Sequence, residues 1–353
     1  MRALYFGTYD RAYPRNAQVI SALRAAGVEV VEAHSAVWGR HNWSVGMGQL
    51  ARLARAETRL ARQGARDADV VIVGYPGHFD VPAARRVARG RPLVFNPLVS
   101  LHDTLVSDRG RFRAGTGAAM VVRQIDRIAF SRSDVVVADT ATHARFFRET
   151  FRLAPERVEV ALVGAEDRLF RPGWYPDEGF HALFVGKLIP LHGLETILEA
   201  ARLVPEVPFR VVGDGQLAGV LEGAPPNVER VGWVEYDLLP GHYQRAGCAL
   251  GVFGTSEKAG RVIPNKAFQA LACGTALVTA DTPGARELLT DGRDALLVPP
   301  GDPEALAGAI RSLAADPQLT ERIGTAGRET YETRASEPVL GEVWREILER
   351  AIG

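Results

Sequence analysis

The chain of 353 residues is poor in cysteine, in lysine, in net charge and in long apolar runs, and each shortage excludes something. Two cysteines, Cys248 and Cys273, cannot build a disulfide framework, and both sit among alanine and leucine, the usual setting of inert buried thiols in a reducing compartment. The longest uncharged, mostly apolar stretch, 267–280, has 14 residues and contains Gly274, too short to span a bilayer. The amino terminus, MRALYFGTYD, turns polar too early for the core of a signal peptide, so the expected location is cytoplasmic, at most peripheral to the inner face of a membrane. Forty-two basic side chains balance 42 acidic ones, which argues against a wholesale nucleic-acid binder. With 46% hydrophobic residues the chain has ample apolar surface to fold.

The balance hides a split. Residues 1–165 carry 24 arginines, no lysine and 15 acids, so the remainder is correspondingly acidic. The whole chain has 39 arginines but three lysines, Lys187, Lys258 and Lys266. A lysine kept in so arginine-rich a composition suggests a need for a compact ammonium rather than a planar fork.

The length fits two domains. Short β-branched runs recur at 4–6, 70–74, 93–95, 135–138 and 158–163. The rhythm restarts at 182–186, 209–213, 227–232, 249–254, 276–280 and 295–299. Near-continuous apolar runs read as strands buried on both faces, hence parallel sheets covered by helices. Helical spacing falls between them, as at Leu194, Ile197, Leu198 and Ala201. Two doubly wound α/β domains are expected, 1–165 and 166–337, with a linker rich in glycine and proline over 164–179. A last amphipathic helix, 338–353, packs either on the second domain or back on the first.

Two segments carry the chemistry, and all three lysines fall in them. In VGKLIPLHGLETILEAA, residues 185–201, a strand delivers Gly186 and Lys187 into a loop, and His192-Gly193 opens the next helix. Glycine lets a phosphate approach the backbone, the helix start offers N–H donors, and Lys187 and His192 add cationic donors. In TSEKAGRVIPNKAFQALACGTALVT, residues 255–279, Lys266 and Gln269 lie three apart on one helix face, suited to an anion and a polyol. The alternatives are an ordinary strand-to-helix turn and a solvated helix start.

GKLIPLHG resembles the G-R-L-x-x-x-K-G turn of the family 4 glycosyltransferases, and the segment FQALACGTALVTADTPGARELLTDGRDALLVPPGDPEALAGAI is similar to that family's nucleotide-sugar-binding half. The resemblance implies the GT-B fold, two Rossmann-like doubly wound parallel-sheet domains facing a cleft. It also implies a retaining glycosyltransferase that moves a sugar from a nucleotide-diphosphate sugar to an acceptor hydroxyl, with no required metal and no cofactor. By that resemblance Lys187 takes the place of the diphosphate-binding arginine and His192 that of the lysine. Arg261 and Gln269 stand where the E-x7-E motif has its two glutamates, with Gln269 on the donor ribose, and Lys266 compensates as a phosphate ligand. Gly232-Trp233-Val234 aligns with the base-contacting turn, unless Trp233 is a core residue. The departures at 261 and 269 keep two other readings open: a nucleotide-sugar epimerase or hydrolase of the same fold, and a catalytically silent binding subunit.

The first domain is less explicit. Gly7 ends the first strand where the family has glycines near the donor phosphates, and Arg15 is the candidate to add a cationic contact from across the cleft. Asn96 ends a strand near the place of a family histidine, and His102 and Asp103 in the following loop are candidates to face the acceptor, which is a glycan, a lipid-linked molecule or a small molecule. His78 and His143 also follow strand ends. Asp67-Ala68-Asp69 has the spacing of a metal motif but precedes its strand, at the wrong end for a ligand. Over residues 43–66, Arg52, Arg55, Arg59, Arg62 and Arg66 are spaced as one helical stripe, interspersed with Trp43, Met47 and Leu50. The stripe is either a solvated helix face or a peripheral contact for anionic lipid or a phosphorylated acceptor.

Overall fold

The structure is a computed structural model and describes residues 1–11, 13–37, 47–63, 67–173 and 179–353. The chain divides into two compact units, Met1–Leu162 with Glu337–Gly353, and Val163–Ser336.

Unit 1 is a six-stranded parallel sheet made of β1 (Arg2–Gly7), β2 (Glu29–His34), β3 (Val70–Val73), β4 (Leu93–Phe95), β5 (Val135–Ala138) and β6 (Val158–Val160), in the order β2-β1-β3-β4-β5-β6. Its helices are α1 (Pro14–Ala25), α2 (Met47–Gln63), α3 (Val81–Ala88), α4 (Gly117–Arg132) and α5 (Ala141–Phe151). Strand β3 is wholly buried, as its unbroken VVIV run predicts. Strand β2 escaped the sequence reading because Glu29 and Glu32 interrupt its apolar residues. It is an edge strand, and only Ala33 on it is fully buried.

Unit 2 repeats the plan with β7 (Ala182–Val185), β8 (Phe209–Val212), β9 (Val228–Gly232), β10 (Cys248–Leu250), β11 (Ala276–Ala280) and β12 (Leu296–Val298), in the order β12-β11-β10-β7-β8-β9. The helices are α6 (Leu194–Leu203), α7 (Leu239–Arg245), α8 (Glu257–Arg261), α9 (Asn265–Cys273), α10 (Pro303–Ala315) and α11 (Pro317–Arg334). Side chains at the predicted spacing, Leu194, Ile197, Leu198 and Ala201, are the ones α6 buries against the sheet. Burying each Leu or Ile contributes about 1.5–3 kcal/mol. Asp302 and Asp316 cap α10 and α11 by accepting from backbone N–H groups, and Gly274 closes α9 in the left-handed conformation.

The final helix, α12 (Glu337–Ile352), belongs to unit 1. It lays Trp344, Ile347 and Leu348 into the cluster formed by Val19 and Leu23 of α1 and by β1 and β3. Gly341 sits against the Ala22 carbonyl, where a β carbon would come within 2.4 Å. Periodicity alone left this docking open, because an apolar stripe does not say which surface covers it.

Each strand order reverses direction once. In unit 1 the chain departs both ways from between β1 and β3, in unit 2 from between β7 and β10. In open parallel sheets ligands bind outside the carboxyl ends of strands at such switch points.

Candidate functional site

The switch point of unit 2 gathers the two segments singled out by their lysines. Gly186 directly follows strand β7, and its φ of +150° suits glycine. A β carbon there would sit 3.0 Å from Lys266 Nζ and 3.4 Å from His192 Cε1. Residues 80 positions apart in sequence therefore meet at one backbone atom. The loops after β7 and β10 are pressed together, since the Phe253 N–H donates to the His192 carbonyl at 3.1 Å and a β carbon on Gly193 would lie 2.6 Å from the Phe253 carbonyl carbon.

Lys266, at the first turn of α9, is buried, and among the described residues its ammonium has no hydrogen-bond partner. It lies 3.6 Å from the ring centroid of Phe184 on β7, a favourable cation–π position. Burial holds its pKa well below the ordinary lysine range. An ammonium with neither water nor carboxylate is costly, and an anionic ligand would supply what the protein does not.

His192 is buried beside it. Its Nδ1 and the Lys187 carbonyl are 2.5 Å apart, so Nδ1 carries the proton and donates, which assigns the lone pair of the neutral ring to Nε2. Lys187 thus contributes its carbonyl to fixing the histidine, while its side chain is half-buried. Phe184, which supports both Lys266 and the His192 ring (centroids 5.6 Å apart), gave no signal in the sequence beyond being a strand residue.

The positions expected at the ribose are differently engaged. Gln269 is buried, and its Oε1 accepts from the Tyr243 hydroxyl at 2.9 Å. Arg261 ends α8, largely buried, with its guanidinium 3.4 Å from Glu257. Trp233 is 53% exposed, which removes the core reading of that residue, and Val234 beside it is half-buried. Both cysteines are buried, and burial pushes each thiol up to about 12.

The switch point of unit 1 has the opposite character. After Gly7, the backbone N–H and hydroxyl of Thr8 both donate to the carboxylate of Asp80, at 2.9 Å each. The place expected to lie near a phosphate is filled by the protein's own acid. Arg15 also corrects the expectation. It is fully buried within unit 1, donates to Asn96 Oδ1 at 3.1 Å and to the carbonyls of Ala161 and Leu162, and stacks over Trp344. Arg15 and Asn96, which is equally buried, therefore tie α1, β4, the end of β6 and α12 together and present nothing to solvent. The physical reason is visible only in three dimensions: the arginine fork has two carbonyls and an amide to satisfy it inside the unit.

The loop with His102 and Asp103 is fixed by a residue the sequence reading missed. Asp126, wholly buried on α4, accepts from the Ser100 hydroxyl at 2.7 Å and from the backbone N–H groups of Leu101 and His102 at 2.9 and 2.8 Å. His78 also faces it, Nε2 to carboxylate 3.4 Å, and burial lowers the pKa of this histidine. Asp103 is buried at the start of a π-helical turn, and His102 is half-buried. His143 is buried against Asp139. Asp69 accepts from the Arg2 N–H at the amino ends of β1 and β3, remote from the ligand edge.

In the basic helix, Arg52, Arg55, Arg59 and Arg62 are exposed on α2, and Leu53, Ala56 and Leu60 are buried beneath them. Arg40, Trp43, Val45 and Arg66 lie outside the described residues, as do the side chains of Met47 and Leu50.

Two doubly wound parallel-sheet units, the second bringing Lys266 and His192 together at its switch point, are the architecture of a GT-B protein. Residues 179–316 match the family described as Glycosyl transferases group 1. The chain is 27% identical over 180 residues to the lipopolysaccharide core biosynthesis glycosyltransferase LpsD of Rhizobium meliloti (strain 1021), covering 50% of this chain and 51% of that protein. It is 30% identical over 290 residues to a D-inositol 3-phosphate glycosyltransferase of Geodermatophilus obscurus, covering 69% of this chain and 61% of the relative. The chain thus spans between half and two thirds of the length of these two relatives. Among solved structures, sucrose-phosphate synthase from Thermosynechococcus elongatus superposes with a TM-score of 0.75 at 16% identity, over 99% of both chains. HepE of Anabaena in complex with UDP-glucose superposes with a TM-score of 0.72 at 18% identity, over 99% of this chain and 100% of that one. The likeness to GT-B glycosyltransferases read from the two motifs is borne out.

Proposed function

We propose that the protein transfers a glycosyl group from a nucleoside-diphosphate sugar to an acceptor hydroxyl, with retention at the anomeric carbon and without a required metal ion. The observation that carries this reading is the buried ammonium of Lys266, lacking a partner among the described residues and set beside the backbone of Gly186 and the ring of His192. The likeness of residues 179–316 to glycosyl transferases, and the UDP-glucose named for HepE, support the choice of donor.

In the reaction the acceptor oxygen bonds to the anomeric carbon as the bond from that carbon to the diphosphate breaks. The acceptor proton passes to a phosphate oxygen, and the nucleoside diphosphate leaves. Negative charge grows on the diphosphate as the bond breaks, so cations held in place before the reaction stabilise the transition state more than the ground state. Lys266 is the first of these and Lys187 the second, with His192 oriented by the Lys187 carbonyl. Trp233, exposed just after β9, would cover the base. The acceptor is a glycan, a lipid-linked molecule or a small molecule.

A thermal-shift panel of nucleoside diphosphates and their sugars tests the reading, because a ligand bound only by the folded state raises the midpoint. A rise with at least one member is expected, and no rise with any would overturn the proposal. One observation favours a second reading, a binding subunit without turnover: the Gln269 oxygen is committed to Tyr243, and an arginine stands at 261. Release of nucleoside diphosphate on incubation with donor and acceptor excludes it.

A further inference from the structure

Helices α2, α3 and α4 lie side by side over one face of the first sheet and share one apolar core beneath them, to which Leu60, Ala84, Val87 and Phe130 contribute. Their outward surface is arginine. Arg52, Arg55, Arg59 and Arg62 are exposed on α2. Arg86 and Arg89 are exposed on α3 and at its end, and Arg123 and Arg127 are exposed one turn apart on α4. None of these makes a salt bridge among the described residues; Arg85, which does, pairs with Asp134.

The acids of the three helices do not offset this. Glu57 is half-buried, where it feels Asp80 and Arg86, and Asp126 is turned wholly inward to hold the loop at Ser100. Arg132, which ends α4, is exposed as well, so among the described residues these helices and their ends present nine exposed guanidinium groups without a salt bridge and no exposed carboxylate. Two large apolar side chains stand with them. Met120 and Val121, in the first turns of α4, are 62% and 60% exposed, between Arg113 and Arg123, which are both exposed.

We infer that this three-helix face docks on an anionic lipid bilayer, with the arginines against the headgroups and Met120 and Val121 entering the interface. Like-charged groups gathered on one face are favourable only opposite negative charge, and a planar lipid surface matches a broad, slightly apolar patch of this kind. The adjacent exposed methionine and valine favour a bilayer over a nucleic acid, whose backbone offers nothing apolar to them. The inference goes beyond glycosyl transfer and does not depend on it.

The test is sedimentation of the whole protein with phosphatidylcholine vesicles that do or do not contain about one third phosphatidylglycerol, at about 0.1 M salt. Binding to the anionic vesicles alone is expected, weakening as salt is raised. Replacing Arg52, Arg55, Arg59 and Arg62 together by glutamine should weaken it by at least roughly tenfold. Replacing Met120 and Val121 by serine should weaken it several-fold while leaving its salt dependence unchanged. All six side chains are exposed, so the variants should keep the wild-type melting temperature and the wild-type response to nucleoside diphosphates. No binding by the wild-type protein, or binding indifferent to the four arginines, would overturn the inference. So would equal retention on a heparin column and on the vesicles with no effect of the serine pair, the outcome expected of a general polyanion surface.

Discussion

Replacing Lys266 by methionine removes the charge while keeping most of the volume over the Phe184 ring. Two consequences of opposite sign follow. In the unliganded protein, burial lowers the lysine's pKa, so at pH values between the folded and the ordinary lysine value the unfolded chain holds a proton that the folded chain does not. Folding stability is then lost as pH falls from the ordinary lysine range toward the folded value. Methionine carries no such cost, and the unliganded variant should be more stable than the wild type at neutral pH. In the liganded protein the lysine is missed. A hydrogen bond from an ammonium to phosphate contributes about 1.5–3 kcal/mol, so the variant should bind UDP roughly 10- to 150-fold more weakly. Binding a dianion also raises the lysine's pKa, so the wild type should take up protons as UDP binds. Its affinity should fall by up to about tenfold per pH unit between the free and bound values. Calorimetry in two buffers of different ionisation enthalpy reads the proton uptake, and urea denaturation reads the stability. A variant that binds UDP within about twofold of the wild type, with no gain in unliganded stability, would refute the assignment of Lys266.

Three further outcomes are expected. Trp233→Ala should weaken nucleotide binding, measured by calorimetry, and leave the melting temperature nearly unchanged, since the indole is 53% exposed. Arg15→Met should lower stability by about 3–5 kcal/mol in urea denaturation, because Asn96 and two carbonyls lose a buried donor, while UDP affinity in the folded protein stays at the wild-type value. Burial raises Asp80 from 3.8 to about 6, so its contribution to stability is present below about pH 4 and is lost as pH rises through 6. At 1.36 kcal/mol per unit that is roughly 3 kcal/mol, and Asp80→Asn should flatten the dependence of unfolding free energy on pH between 4 and 7.

Much of this molecule was legible in the sequence because parallel α/β architecture writes itself in unbroken apolar runs. Eleven strands follow from those runs, and β2 does not, because an edge strand with one covered face tolerates Glu29 and Glu32. The two segments proposed to bind the donor were legible through a rarity, three lysines against 39 arginines, and Lys266 and His192 do meet at Gly186. The first unit was less so. A polar side chain near a strand end reads alike whether it faces a ligand or closes the fold, and Arg15, Asn96 and His78 all turned inward. Asp126 had left a faint trace: it occupies the apolar stripe of α4 with Val122, Ala129 and Phe130, where an acid must be either buried with partners or misplaced.

Charge, not topology, distinguishes the two switch points. Both sheets reverse beside a glycine at the carboxyl end of a central strand, Gly7 as the last residue of β1 and Gly186 just after β7, and both glycines have a large positive φ. A fold-level rule would assign each an anion. Yet Thr8, just past Gly7, gives its N–H to Asp80, a carboxylate carried on the connection from β3 to α3, whereas Gly186 faces an ammonium carried on α9. An internal acid and an external phosphate compete for such donors; the first unit has satisfied its switch point from within, whereas in the second the side-chain nitrogen of Lys266 has no hydrogen-bond partner among the described residues. Neutralising those groups, by Asp80→Asn or Lys266→Met, should therefore affect folding in the first unit and ligand binding in the second.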